Sequence, residues 1–165
     1  MKTLYLLRHA KSSWNFDELS DHDRPLNGRG RDDAPHMGQA LHKRGIVPSL
    51  VLASSAVRAL STAVLVTREL GYPHEKIKVE PAIYQADVPT LLGIVRGLPA
   101  GAESVMLVGH NPTFTDLANE LSPASPITEM PTAGVVCLRF ATDNWAEVKR
   151  ENAEFYFFDY PKNDE

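Results

Sequence analysis

Three uninterrupted apolar runs constrain this chain more than any other feature: Thr3–Leu7, Ser49–Ala53 and Ser104–Val108. None of them alternates apolar with polar residues, so none reads as a strand with one wet face. Continuous runs of this kind belong to strands buried on both faces, as in parallel sheets covered by helices. Between them the apolar spacing switches to a helical period. Ala34, Met37, Gly38 and Leu41 mark a helix from Asn27 to about Arg44, with Gly45 closing it and Pro35 expected to kink it. Leu60, Ala63, Val64, Thr67 and Leu70 mark a second helix, closed by Gly71. Leu91, Leu92, Val95 and Leu98 mark a third, and Phe114, Leu117, Ala118 and Leu121 a fourth. Ile77–Val79 adds a short strand. Ala10–Leu26, Tyr84–Pro89 and Ser122–Gly134 read as loops. Val135–Phe140 and Trp145–Arg150 are expected to form a hairpin around Thr142-Asp143-Asn144. Phe155–Phe158 is then either a last strand or an apolar stretch that packs the tail. This order predicts the α/β class, with a largely parallel core and a hairpin-like C-terminal edge. The 165 residues suit one domain, 1–165.

Composition removes several functional classes. A net charge of −4 argues against a nucleic-acid partner, which calls for a basic face. The apolar stretch after Met1-Lys2-Thr3 is too short for a signal-peptide core or a membrane span, so no membrane partner is expected. Cys137 is the single cysteine, so no intramolecular disulfide forms, which fits a reducing, cytoplasmic setting. It sits between Val136 and Leu138 and is expected to pack as a small buried hydrophobe.

The apolar runs end in chemistry. The first stops at Arg8-His9. The second leads through Ser54-Ser55 to Arg58, in the first turn of a helix. The third stops at Gly109-His110-Asn111. As parallel neighbours these strands would bring all three endings to one sheet edge, where the crevices of open α/β sheets lie. That edge would gather two arginines, two histidines and a helix N-terminus, all groups that favour phosphate. A cation at a helix N-terminus is electrostatically disfavoured, so Arg58 there points to an expected anion. Two guanidiniums would hold phosphoryl oxygens and stabilise charge in transfer. A neutral imidazole could attack phosphorus in line, and a second could donate to or position the same oxygens. No carboxylate cluster near these histidines has metal-ligand spacing, so the expected chemistry uses no metal and no cofactor.

The stretches Arg8-His9, Ser54-Ser55-Ala56-Val57-Arg58-Ala59-Leu60-Ser61-Thr62 and Gly109-His110-Asn111-Pro112 resemble the histidine phosphatase, or phosphoglycerate-mutase-like, superfamily. Asp23-Arg24-Pro25-Leu26-Asn27-Gly28-Arg29-Gly30, Val108 to Pro112 and Pro131-Thr132-Ala133-Gly134 are similar to its small SixA-type phosphohistidine phosphatases. The resemblance runs from Met1 to about Phe140. It implies a three-layer α/β/α sandwich with a mostly parallel central sheet, and a phosphatase working through a covalent phosphohistidine. It implies His9 as nucleophile, with Arg8, Arg58 and His110 completing the phosphate pocket. Ser12, Asn15 and Arg24 are further candidates for substrate binding. Many relatives carry a glutamate after the third strand as general acid, and Gln85 stands at that position here. Glutamine has no proton to give, which leaves Asp87 as the candidate acid and favours a phosphoramidate, with its labile P–N bond, or an activated ester over an alkyl phosphate such as phosphoglycerate.

The leading expectation is therefore a metal-independent phosphatase acting on phosphohistidine of a signalling protein of the histidine phosphotransfer type. A phosphatase or mutase of small phosphorylated metabolites and a non-catalytic phosphate-binding module are the competing readings. His22, His36, His42 and His74 are expected to be solvated or locally hydrogen-bonded, Asp21-His22-Asp23 to be an acidic loop, and Ser54 and Ser55 to cap the following helix.

Overall fold

The apolar runs become the inner strands of one sheet. In the computed structural model, which describes residues 1–162, the strands are β1 (Lys2–Arg8), β2 (Leu50–Ala53), β3 (Lys78–Val79), β4 (Ser104–Gly109), β5 (Val135–Phe140) and β6 (Ala153–Asp159). Their order is β3-β2-β4-β1-β5-β6. The first four are parallel; β5 runs antiparallel to β1, and β6 to β5. Between them lie α1 (Gly28–Lys43), α2 (Val57–Glu69), α3 (Val88–Arg96) and α4 (Thr113–Leu121).

Successive side chains of a strand point to opposite faces, and β1 divides its apolar residues accordingly. Tyr5 and Leu7 join Met37, Leu41, Ala63 and Val66 beneath α1 and α2. Leu4 and Leu6 join Leu91, Val95, Phe114 and Leu117 beneath α3 and α4. Two cores, one on each side of the sheet, make the three-layer α/β/α arrangement. Among the described residues no helix is long and apolar enough to cross a membrane.

One expectation changes here. Trp145–Arg150 is not a strand. Trp145–Glu147 and Arg150–Asn152 are single 3-10 turns, and the strand that pairs with β5 is Ala153–Asp159. Trp145 and Val148 are both fully buried three residues apart, the spacing of a helical turn. Trp145 also donates its indole N–H to the Ala102 carbonyl at 2.7 Å, and Asn144 caps its turn by accepting from the Ala146 N–H. The apolar pair was the inner face of a turn, not one face of a strand. The helix expected from Asn27 to about Arg44 is there as α1, one 16-residue helix that takes in Pro35.

The register sets the strand ends level. Arg8 pairs with Gly109, while Leu7 and Ala53 both pair with Val108. The start of α1 closes against the loop that follows β1. Asn27 caps the helix by accepting from the Gly30 N–H at 2.8 Å and donates its own N–H to the Lys11 carbonyl. A Cβ on Gly30 would collide with that same Lys11 carbonyl, so only glycine permits this approach. Gly30→Ala is expected to lower stability by about 1–3 kcal/mol, read as a drop in the midpoint of chemical denaturation. An unchanged midpoint would show that the two segments do not close as described.

Candidate active site

Where β1, β2 and β4 end, the chain lines a cavity of about 490 Å3 with Arg8, His9, Ser12, Asn15, Arg24, Arg58 and His110, together with Lys11, Ser13, Trp14, Asn27, Asn111 and Thr132. All four residues expected to form a phosphate pocket are therefore brought together, and Ser12, Asn15 and Arg24 stand with them. An apolar groove of similar size lies beside α2, between Pro25, Leu26, Val57, Leu60 and Val64. It offers little polar chemistry, and the polar cavity is the candidate site.

The two imidazoles are held in complementary states. His9 Nδ1 lies 2.7 Å from the Ala10 carbonyl. A carbonyl only accepts, so Nδ1 carries the proton and Nε2 keeps a free lone pair. Ala10 is itself fixed by donating its N–H to Thr62 Oγ1 at 2.9 Å, and that hydroxyl donates to the Arg58 carbonyl. At His110, Nε2 lies 2.8 Å from Ser54 Oγ. Ser54 Oγ accepts from the Ala56 N–H, and His110 Nε2 is the only acceptor for its own proton among the described residues, so the hydroxyl is assigned as donor to Nε2 and His110 carries its hydrogen on Nδ1. One ring thus offers a lone pair and the other a donor, with centroids 5.3 Å apart.

Both rings stay neutral. Burial pushes His9 down to about 3, with His110, Arg58 and Arg8 adding repulsion and the Ala10 carbonyl opposing. Burial and then Arg58 push His110 down to about 4. Desolvation always disfavours the charged form of a histidine.

The guanidiniums are anchored on one side and open on the other. Arg8 donates through Nη1 to the Met130 carbonyl at 2.8 Å, and Glu129 stands 3.8 Å away. Arg58 donates through Nη1 to the Asp21 carbonyl at 2.7 Å and through Nη2 to Asp21 Oδ2 at 3.0 Å. Arg24 binds Ser12 Oγ at 2.8 Å, the Ser13 carbonyl at 3.0 Å and Asp21 Oδ1 at 3.2 Å, and stacks on Trp14. Among the described residues only three buried side-chain nitrogens lack a hydrogen-bond partner: Arg8 Nε, Arg58 Nε and His110 Nδ1. All three belong to residues of this cavity, and each is a donor in the states derived above. Buried donors without partners are rare in folded proteins.

Several partners were missed in the sequence. Asp21, set aside as part of an acidic loop, joins Arg58, Arg24 and the Tyr84 hydroxyl, which donates to it at 2.7 Å. Those contacts, Tyr84 foremost, hold its carboxyl down at about 2. The anion that Arg58 awaits at the start of α2 is met in part by this carboxylate. The available signal was the spacing of Asp21 three residues before Arg24. His22 meets its neighbour Asp23 through Nδ1 at 3.2 Å, as expected of a locally hydrogen-bonded histidine, but it also reaches further: Nε2 lies 2.9 Å from Ser55 Oγ, and its ring meets Tyr84 edge-on. Ser54 and Ser55 do not cap α2, whose N-cap is Ala56.

Asp87 and Gln85 stand apart from the cavity. Asp87 is the N-cap of α3, accepting from the Thr90 N–H at 2.9 Å. That contact holds its carboxyl below the ordinary value, the wrong direction for an acid, and Asp87 does not line the cavity. Gln85, at φ 62, lines a smaller space of about 240 Å3 that shares His110 and Asn111.

A parallel-sheet crest that presents two arginine forks and two neutral imidazoles around unpaired buried donors defines a protein that handles phosphoryl groups. The model of the histidine phosphatase superfamily (branch 1) matches residues 4–95, and the chain belongs to that superfamily. It is 31% identical to an uncharacterized protein of Mycobacterium leprae, over 94% of this chain and 100% of that one. To an uncharacterized chloroplastic protein of Arabidopsis thaliana it is 32% identical, over 88% of this chain and 70% of the other. The structure assigned as the phosphohistidine phosphatase SixA of Agrobacterium tumefaciens superposes with a TM-score of 0.81 at 29% identity, covering 98% of this chain and 99% of that one. The fold is thus phosphoglycerate-mutase-like, and the family supports phosphatase activity.

Ring-nitrogen NMR of the free protein checks the two tautomers. His9 and His110 are expected to remain neutral from pH 7 down to about pH 5, each protonated on Nδ1. Titration of either ring near the ordinary histidine value of about 6.5 would overturn the assignment.

Proposed function

We propose that the protein is a metal-independent phosphatase that works through a phosphohistidine on His9, and that its substrate is phosphohistidine in a signalling protein of the histidine phosphotransfer type. The observation that carries this reading is the set of three unpaired donors, Arg8 Nε, Arg58 Nε and His110 Nδ1. A phosphoryl group in the cavity supplies acceptors for all three. His9 Nε2 attacks phosphorus in line as the bond to the leaving group breaks. Water then attacks the phosphohistidine, the P–N bond breaks, and phosphate leaves with His9 restored. Arg8 and Arg58 hold the charge on the transferring oxygens, so the chemistry asks for no metal. Ser12, Asn15 and Arg24 line the approach, with Arg24 orienting Ser12.

The leaving group decides the substrate class. Gln85 has no proton to give, and Asp87 is committed to α3. An alkoxide would leave slowly without an acid, by about 10²–10⁴-fold. The imidazole of phosphohistidine can take a proton from solvent on its other ring nitrogen and leave as a neutral base, so it needs no acid from the protein. The likeness to structures assigned to SixA supports the same choice.

His9→Ala is expected to lower turnover of p-nitrophenyl phosphate by at least about 10³-fold while phosphate still binds. The native protein, quenched during turnover of labelled substrate, should carry an acid-labile, alkali-stable phosphoryl group. Full activity in the variant, or an acid-stable adduct, would overturn the covalent step. Asparagine caps a helix as well as aspartate, so Asp87→Asn should fold normally and keep turnover within about threefold. A loss of 10²-fold or more would restore Asp87 as the acid. In a substrate panel, phosphohistidine in a phosphotransfer protein should be cleaved at least about 10²-fold faster than phosphoserine or phosphoglycerate; the reverse order would reassign the enzyme to metabolites.

A further inference from the structure

A second cavity, of about 510 Å3, opens on the α1/α2 face of the sheet beyond the end of α1. It is lined by Tyr5, Arg44, Ile46, Cys137, Arg139 and Phe157, with Tyr156 beside them, and shares no residue with the candidate active site. It exists because the helical layer stops short of β5 and β6. Tyr5, Cys137 and Phe157 are successive partners across β1, β5 and β6 and form its floor. A bulge in β6 inserts Tyr156 between Phe155 and Phe157, the partners of Leu138 and Cys137.

The polar groups of this cavity are mainly donors. Arg139 lies over the Tyr156 ring at 3.5 Å, and Arg44 over the Phe157 ring at 3.9 Å. Stacking fixes the plane of a guanidinium and leaves its N–H edge free. Among the described residues the Arg139 side chain has no hydrogen bond or ion pair, although Glu154 stands directly across from it in the β5–β6 register. Arg44 has one carboxylate near it, Asp159 at 3.6 Å, which it shares with Lys162. The Tyr5 hydroxyl has no partner within the described residues either.

We propose that this cavity is a second anion site, taking a phosphate dianion between the guanidiniums of Arg44 and Arg139 with the Tyr5 hydroxyl as a third donor. Two fixed forks match a tetrahedral dianion better than a carboxylate, which one fork satisfies. Inorganic phosphate and a phosphate-bearing small molecule share that chemistry.

Amide NMR at constant ionic strength tests the site with inorganic phosphate and with methylphosphonate as probes. Saturable shifts are expected at residues 44–47, 137–139 and 156–157, separate from those around His9. A tighter midpoint for methylphosphonate would identify an organic phosphate as the ligand, and a tighter one for phosphate the free anion. Arg139→Gln, a mild change at a half-buried position of β5, should weaken the sheet-face midpoint about tenfold. The double variant Arg44→Ala, Arg139→Ala should lose it. In both variants the shifts around His9 should persist and turnover of p-nitrophenyl phosphate stay within about twofold of native. Shifts at the sheet face that fail to saturate in the native protein, or that survive in the double variant, would overturn the proposal.

Discussion

Two guanidiniums and two imidazoles share one largely buried cavity, and that crowding dictates most of the surrounding structure. Burying a cation is costly unless acceptors come with it. Arg8 is met by the Met130 carbonyl and Arg58 by the carbonyl and carboxylate of Asp21. Each acceptor is carried by a loop that must therefore reach the strand ends. The later loop is tied down at several points. Asn111 donates to the same Met130 carbonyl. Ala133, at φ 61, donates its N–H to the His9 carbonyl, and the Gly134 carbonyl accepts from Arg8. With the cations fixed, burial and their field leave both imidazoles neutral, the state in which one ring offers a lone pair and the other a donor.

What was readable in the sequence was whatever depends on neighbours in the chain. Continuous apolar runs announce strands buried on both faces, and residues that end such strands share an edge once the strands are parallel. That reasoning reaches Arg8, His9, Arg58 and His110 before any coordinates. It fails where a partner is distant and its own surroundings are bland. Tyr84 meets Asp21 across 63 residues and His110 meets Ser54 across 56; nothing near either residue marks the contact. Thr62 reads as a helix residue, yet it fixes Ala10, whose carbonyl sets the proton on His9. Trp145–Arg150 fails for a different reason. A short apolar pair fits a strand and a turn equally well until burial separates them.

Asp21 shows how a carboxylate can belong in an anion site. A negative charge beside Arg58 would ordinarily compete with phosphate. Here the side chain is half exposed, and its two oxygens are shared among Arg58, Arg24 and Tyr84. It takes one edge of Arg58 and leaves Nε unpaired. The same carboxylate holds Arg24, which in turn holds Ser12 and Ser13. Removing the carboxylate would free charge for phosphate but release both guanidiniums to rotate, and a loose fork discriminates poorly between a ground state and a transition state.

The same network bears on where the leaving-group proton comes from. Asp21 is held ionised, with its carboxyl at about 2, and Tyr84 is pushed to the other side of its ordinary value. Asp87 is held ionised by its cap, and both imidazoles are neutral, with the His9 proton engaged by the Ala10 carbonyl and His110 Nδ1 unpaired. Near neutral pH none of these groups is poised to deliver a proton to a departing alkoxide. On the mechanism proposed above, a site built this way would stabilise the transferring phosphoryl group strongly and the leaving group weakly. That asymmetry suits a bond whose leaving atom is a ring nitrogen, because such a nitrogen departs without first demanding a proton from the protein.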